Sequence, residues 1–199
     1  MPAHEIVSFP ATDAFAADPI GVLKTAAEFF ATVEGCLGVY AGLAEEEKTG
    51  SILIIWETLE HHKALVKRPG YPEILGVKPA INGESKIYHI DFNHSPKAAV
   101  TAPTTEVLVL TLKEGKTKEQ LDTILAATDP KIIADDGVFG PSAWGATQES
   151  EGVVVLLLGW ESSKKHLEVI GKPTHTTFVE SLKETADTKV VHVSFKKVF

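Results

Sequence analysis

The stretch from Gly50, "GSILIIWETLEHHKALVKRPGYPEIL", is written a second time from Gly152 as "GVVVLLLGWESSKKHLEVIGKPTHTTFV". Anchoring Trp56 on Trp160 superposes Glu57 on Glu161, His62 on His166, Leu65 on Val169 and Pro69 on Pro173. The match runs outward in both directions. "KIYHIDF" from Lys86 repeats as "KVVHVSF" from Lys189, aligning His89 with His192 and Phe92 with Phe195, and "GCLGVYAG" from Gly35 repeats as "GVFGPSAW" from Gly137. A period of this length is too long for a solenoid and matches one small domain, so two similar modules are expected, residues 1–94 and 106–199, joined by a Pro-, Ala- and Thr-rich connector at 95–105.

Each copy reads as strand, helix, strand, strand, helix, strand. "EIVSF" and "EVLVLTL" open the two copies with β-forming residues. Asp18 followed by Pro19 is an N-cap with proline at N1, and Ile20, Leu23, Ala27, Phe30 and Val33 fall toward one side of the helix it starts. Thr117 with Gln120 is a capping-box pattern in the second copy. Polar turns, "EEEKTG" and "TQESEG", precede apolar strands that run into the paired tryptophans, and a helix begins at Thr58 or Ser162. This βαββαβ order is the ferredoxin-like plan, an α+β fold whose antiparallel sheet carries helices on one face. The bare faces of the two sheets are expected to pack together into an intramolecular α/β barrel whose interior is filled or holds one small ligand.

Composition narrows the function. The chain has 199 residues, 44% of them hydrophobic, and a formal charge of −8, so it can bury a core yet has no basic stripe for nucleic acid. The longest apolar run, residues 153–160, suits a buried strand and is too short for a membrane span. Cys36 has no partner for a disulfide and sits in an apolar strand, which suits an inert core thiol; with no secretory leader evident, a cytoplasmic protein is expected. "NHS" at 93–95 is a sequon by chance in that setting. Nucleotide loops, nucleophile elbows and the compact metal spacings HxxxH, HExxH and CxxC are absent from the sequence.

The plan resembles the dimeric α/β-barrel superfamily, which includes the stress-responsive barrel proteins and the antibiotic-biosynthesis monooxygenases, here fused in tandem as in some fungal members. The most specific piece is "KPTHTTF" at 172–178, which matches the stress-responsive signature HPxHxxF at Pro173, His175 and Phe178 and departs from it at Lys172. The first copy reads "RPGYPEI", with Tyr71 at the place of His175. The resemblance implies a general base at His175, as in a plant polyketide cyclase of the family, a role that suits an imidazole titrating near neutrality. The plain alternative is that His175 bonds a backbone carbonyl and closes a loop.

Strand alternation puts His89 with Ile87 and Asp91 on one sheet face, and both His89 and His192 would need a partner or a cavity there. His62 and His166 lie on the second helices. Trp56 and Trp160 are expected beneath those helices, whereas Trp144 and Tyr40 break the repeat and are candidates for pocket walls. Candidate ligand-binding residues are therefore His175, His192, His89, Tyr71, Trp144, Tyr40, His166 and His62. No cofactor is required. A divalent metal would have to be assembled from distant segments, for instance His175 or His192 with Glu161 or Glu57, although both glutamates suit the first turn of a helix, where the dipole favours a carboxylate.

Three functions follow. The leading expectation is a binding protein for a small apolar or polyketide-like metabolite or pigment, with the second half favoured as the occupied one. The alternatives are a cofactor-independent cyclase or monooxygenase using His175, and a stress-associated barrel with a filled interior. The expected partner is a small molecule, without nucleic acid or membrane; a homodimer is compatible with the plan.

Overall fold

The first strand, β1 (Ala3–Pro10), opens a computed structural model that describes residues 2–199. It is followed by α1 (Asp13–Ala17), α2 (Pro19–Val22), α3 (Lys24–Phe30), β2 (Cys36–Leu43), β3 (Thr49–Trp56), α4 (Leu59–Val66) and β4 (Lys86–Ile90). The order then repeats after α5 (Lys97–Val100), as β5 (Thr104–Leu112), α6 (Lys118–Ile132), β6 (Val138–Ala146), β7 (Val153–Trp160), α7 (Ser163–Ile170), α8 (Thr176–Thr185), β8 (Ala186–Val193) and a short β9 (Lys196–Lys197). All pairings are antiparallel. One sheet runs β4-β1-β3-β2-β9 and the other β6-β7-β5-β8, so the chain holds two ferredoxin-like repeats of the α+β class.

The caps read from sequence form as chemistry requires. Asp18 Oδ1 accepts from the Gly21 N–H at 2.9 Å with Pro19 at N1, and Thr117 and Gln120 bond reciprocally. The helix read from Asp18 is broken into α2 and α3 and is preceded by the separate α1; Phe15, Leu23, Ala26 and Phe30 are buried along this stretch, and Val33 just after it. Thr58 and Ser162 cap α4 and α7.

By contact the chain divides into two units, Met1–Asp91 with Phe195–Phe199, and Phe92–Ser194. Each is completed by the segment that follows the other repeat's closing strand. β9 lies on β2, with Tyr40 opposite Lys197 and Ala41 opposite Lys196. In the second unit the Asn93 N–H donates to the Trp144 carbonyl at 3.0 Å, and the Trp144 N–H donates to Asn93 Oδ1 at 2.8 Å. The connector expected to be a plain link carries α5, because its small apolar residues Ala99 and Val100 are buried.

Each core fills the space between one sheet face and its helices. In the first unit Leu23, Ala26 and Phe30 pack on Ile52, Ile54 and Trp56. In the second, Leu121, Leu125, Val169 and Leu182 pack on Leu108, Val154, Leu156 and Trp160. Every residue of β7 is buried, as its unbroken apolar run requires. Removing one such leucine or phenylalanine side chain from water is worth about 1.5–3 kcal/mol. Among the described residues no helix is long and apolar enough to cross a membrane.

Candidate functional site

Strand register brings a glutamate and a histidine together in each unit. Glu5 on β1 lies directly opposite His89 on β4, and Glu106 on β5 directly opposite His192 on β8. Both glutamates share the face of their sheet with the buried tryptophans, toward the helices. Glu5 is 3% exposed and Glu106 6%, and a carboxylate so far from water must be held by donors.

The donors are the same in both units. The Trp56 Nε1–H donates to Glu5 Oε2 at 2.9 Å, and the Trp160 Nε1–H donates to Glu106 Oε2 at 2.9 Å. His62 Nε2 stands 3.5 Å from Glu5 Oε2, and His166 Nε2 stands 3.6 Å from Glu106 Oε2. The other ring nitrogen continues the chain: His62 Nδ1 meets His89 Nε2 at 2.7 Å, and His166 Nδ1 meets His192 Nε2 at 2.7 Å. Each histidine lies six positions after its tryptophan, across a helix cap and a first turn, which returns the imidazole over the indole at ring distances of 5.1 and 4.5 Å. The product is a duplicated chain of buried polar groups, tryptophan, glutamate, histidine, histidine. Such a chain can accept a proton at the carboxylate and pass one between the imidazoles.

The duplicated groups face unequal spaces. The first unit encloses a mostly apolar cavity of about 340 Å³, whose wall includes Glu5, Phe30, Ile54, Tyr71, Ile87 and Val198. The corresponding cavity beside Glu106 in the second unit, about 150 Å³, is lined by Glu106, Leu125, Trp160 and His166 among others. Sites for organic ligands span roughly 300–1,000 Å³, so the first cavity is large enough and the second is not. The helix residues explain the difference. Leu23 and Phe30 line the first cavity where Leu125 and Ile132 line the second, and between them Ala26 and Ala27 stand in the places of Thr128 and Asp129, which take up more space.

Both of these cavities lie between a sheet and its own helices, because the polar register of β1 and β5 is turned to the helix side. Of the two, the one beside Glu5 has the larger volume.

The candidates divide accordingly. Tyr71 lines the first cavity; burial, then the charge of Glu5, push its phenol above the ordinary tyrosine range. His62, His89, His166 and His192 join the two networks. Tyr40 lies between Val39 and Ala41, which pack under the helices, so it is on the opposite face and off the cavity. Trp144 is buried elsewhere, its Nε1–H donating to Asp122 Oδ1 at 3.2 Å.

His175 is 3% exposed but is not among the described residues lining the second cavity. Its Nε2 is 2.7 Å from Asp135 Oδ2, while Lys172 Nζ donates to Asp135 Oδ1 at 2.6 Å. The lysine that departs from the family signature thus shares a carboxylate with the histidine that keeps it. Hydrogen bonding from Lys172, then from His175, holds Asp135 below the usual carboxylate range. This cluster ties the end of α6 to the turn before α8 through a side-chain carboxylate, where a backbone carbonyl was the expected partner.

His175, His192 and Glu161 are not brought together, and Glu57 and Glu161 are exposed at the starts of their helices, where the dipole explains them. The residues that could hold a divalent ion are instead Glu5, His62 and His89, each offering one ligand atom within 4.8 Å of the others. A tetrahedral ion bound at about 2.0–2.1 Å holds its ligands about 3.3 Å apart. The 2.7 Å between the imidazole nitrogens is a hydrogen-bond spacing, so His89 would have to withdraw to admit a metal. Cys36 is buried, and its thiol is pushed up to about 11, chiefly by burial, which agrees with an inert core residue.

Sequence reasoning missed Glu5 and Glu106. A signal existed: each is a charged residue at the same place in an otherwise apolar opening strand, present in both writings of the repeat.

No protein-family model and no curated protein sequence matches the chain. Solved structures match over its whole length. A provisionally assigned monooxygenase of Fusobacterium nucleatum is 13% identical, with 98% of this chain and 93% of that one covered and a TM-score of 0.72. An anthrone oxidase-like protein is 12% identical, covers 99% and 93%, and has a TM-score of 0.70. A provisionally assigned monooxygenase of Lactobacillus acidophilus is 8% identical, covers 100% and 94%, and has a TM-score of 0.63. At these identities the likeness is one of fold. It extends over both repeats.

Proposed function

We propose that this chain binds a small, flat, largely apolar molecule of the hydroxylated polycyclic or polyketide-like kind in the cavity of the first unit, with a ligand hydroxyl donating to Glu5. The observation that carries the reading is an apolar space of about 340 Å³ with a buried carboxylate and a phenol in its wall. Apolar walls bind the rings, and Glu5, an acceptor already backed by an indole N–H, selects a ligand with one hydroxyl suitably placed. A ligand without that hydroxyl would leave the carboxylate less well satisfied, which is a strong discriminator in a dry site.

Equilibrium dialysis against 9-phenanthrol tests this. Wild type is expected to bind it and Glu5→Gln to weaken binding by about tenfold or more, with phenanthrene bound no better by one than by the other. Equal binding of 9-phenanthrol by wild type and Glu5→Gln would contradict the reading.

The Glu5–His62–His89 chain favours a second reading, a cofactor-independent oxygenase, and the fold likeness to proteins named as monooxygenases and as anthrone oxidase-like supports it. Glu5 would take a proton from an acidic C–H of the bound ring system. The resulting carbanion is oxidised by dioxygen: a CH₂ becomes C=O, one oxygen atom enters the ketone, and the other leaves as water with the two hydrogens. Consumption of 1,8-dihydroxyanthrone in air, above the uncatalysed rate and lost in Glu5→Gln, is the expected result; a rate equal to the buffer blank would dismiss it.

A further inference from the structure

The wall of the first cavity is built from two parts of the chain that are far apart in sequence. Most of it comes from residues between Glu5 and Ile87, and the remainder is Val198. The segment bearing Val198 is the one that returns after β8 to complete the first unit. Its attachment is slight. β9 contributes two residues opposite Tyr40 and Ala41; beyond it the Val198 and Phe199 N–H groups donate to the Val39 carbonyl at 2.8 and 3.3 Å, and the Val39 N–H donates to the Phe199 carbonyl at 3.2 Å. Lys196 and Lys197 are exposed, and Val198 and Phe199 are half-buried against the edge of the core.

The corresponding segment of the second unit is placed differently. After Asn93 bonds Trp144, the chain turns into α5, which packs on β6 and β7, and among the described residues it contributes nothing to the lining of the smaller cavity. A side chain from the returning segment is therefore a feature of the first cavity alone. The segment is held by a two-residue strand and by backbone bonds to Val39, with Phe195 buried at its start, and elements secured by a short edge strand open at lower free-energy cost than core strands.

We infer that Val198 is the size-determining residue of the first cavity and that segment 195–199 is its yielding wall, released and re-formed as a ligand enters and leaves. The inference rests on the reading that this cavity holds a flat hydroxylated aromatic molecule. Val198 then decides how many fused rings fit beyond the hydroxyl held at Glu5. A smaller side chain lengthens the space, and a larger one shortens it without touching the carboxylate.

Calorimetric titration of 2-naphthol and 9-phenanthrol into wild type, Val198→Ala and Val198→Phe tests the first part. Val198→Phe is expected to weaken 9-phenanthrol by about tenfold or more and 2-naphthol by less than about threefold, while Val198→Ala shifts the ratio toward 9-phenanthrol. Val198→Ala stands on its own should the phenylalanine disturb folding. Trypsin cleavage after Lys196 and Lys197 tests the second part: saturation of wild type with 9-phenanthrol is expected to slow cleavage there by about fivefold or more, as ligand binds only the closed form. If wild type binds both probes and neither their affinity ratio nor the cleavage rate responds, this inference is overturned and the binding reading stands. If wild type binds neither probe, both are overturned.

Discussion

Glu5 and His89 occupy directly opposed positions on β1 and β4, yet His89 Nε2 meets Nδ1 of His62 at 2.7 Å, and His62 itself stands 3.5 Å from the Glu5 carboxylate. The imidazole of α4 is inserted between two groups that the sheet register would otherwise pair. Glu106, His166 and His192 repeat the arrangement, so a helix residue mediates a cross-strand pair twice in one chain.

A buried carboxylate needs its donor. Trp56→Phe keeps the ring and removes the indole N–H, and is expected to lower stability by about 1–3 kcal/mol, the cost of leaving a buried acceptor short of a partner. Urea denaturation measures it. The double variant Trp56→Phe with Glu5→Leu is expected to lose less than the two single changes added together, because the second change removes the group that the first leaves unsatisfied. Strict additivity would show that the bond contributes nothing.

The duplication, the βαββαβ order, the caps at Asp18 and Thr117 and the buried strand at 153–160 were legible because they rest on spacing and local chemistry. The site was legible only in pieces. His62, His89, His166 and His192 stood out as repeated histidines, but their joining depends on β1 lying beside β4 and β5 beside β8, a pairing between segments about 85 residues apart in sequence. Glu5 and Glu106 were hidden in strands read for β propensity alone. The family signature pointed to His175, and no local pattern could show that Asp135, from the turn after α6, would take up its imidazole.

Asp135 holds both His175 and Lys172. His175→Ala is expected to lower stability by about 1–3 kcal/mol and to leave 9-phenanthrol affinity within about twofold of wild type. Because the folded Asp135 carboxyl is held below its ordinary range, its contribution is present above the unfolded carboxylate pKa and lost as pH falls through the folded value. Asp135→Asn should therefore flatten the acid limb of a stability–pH curve. A large loss of ligand affinity in His175→Ala would return that residue to the binding site.

His4 should make stability fall with mild acid. Burial lowers its pKa from 6.5 to about 4, against the opposing influence of Asp91 and a backbone bond at Ile90. Between those values the unfolded chain takes up a proton that the folded chain refuses, so the stabilisation is complete above about 6.5 and is lost as pH drops toward 4. The difference reaches about 3 kcal/mol at most. Urea midpoints at about pH 7.5 and about pH 4.5, compared with those of His4→Gln, measure it, the variant being expected to show the smaller acid sensitivity.

Cys36, with its thiol raised to about 11 by burial, should be silent toward a disulfide reagent such as Ellman's at mildly alkaline pH until the protein is unfolded. Rapid labelling of the folded protein would show that β2 opens far more readily than its packing implies.

In the proposed function, a ligand is held in the first unit's cavity, at Glu5. A crystal structure of the chain with 9-phenanthrol tests it most directly. The expected result is one molecule per chain in the first unit, its hydroxyl within hydrogen-bond distance of Glu5 and its rings against Phe30, Ile54 and Tyr71. Density for the ligand beside Glu106 or His175, with the space at Glu5 left to water, would contradict the account.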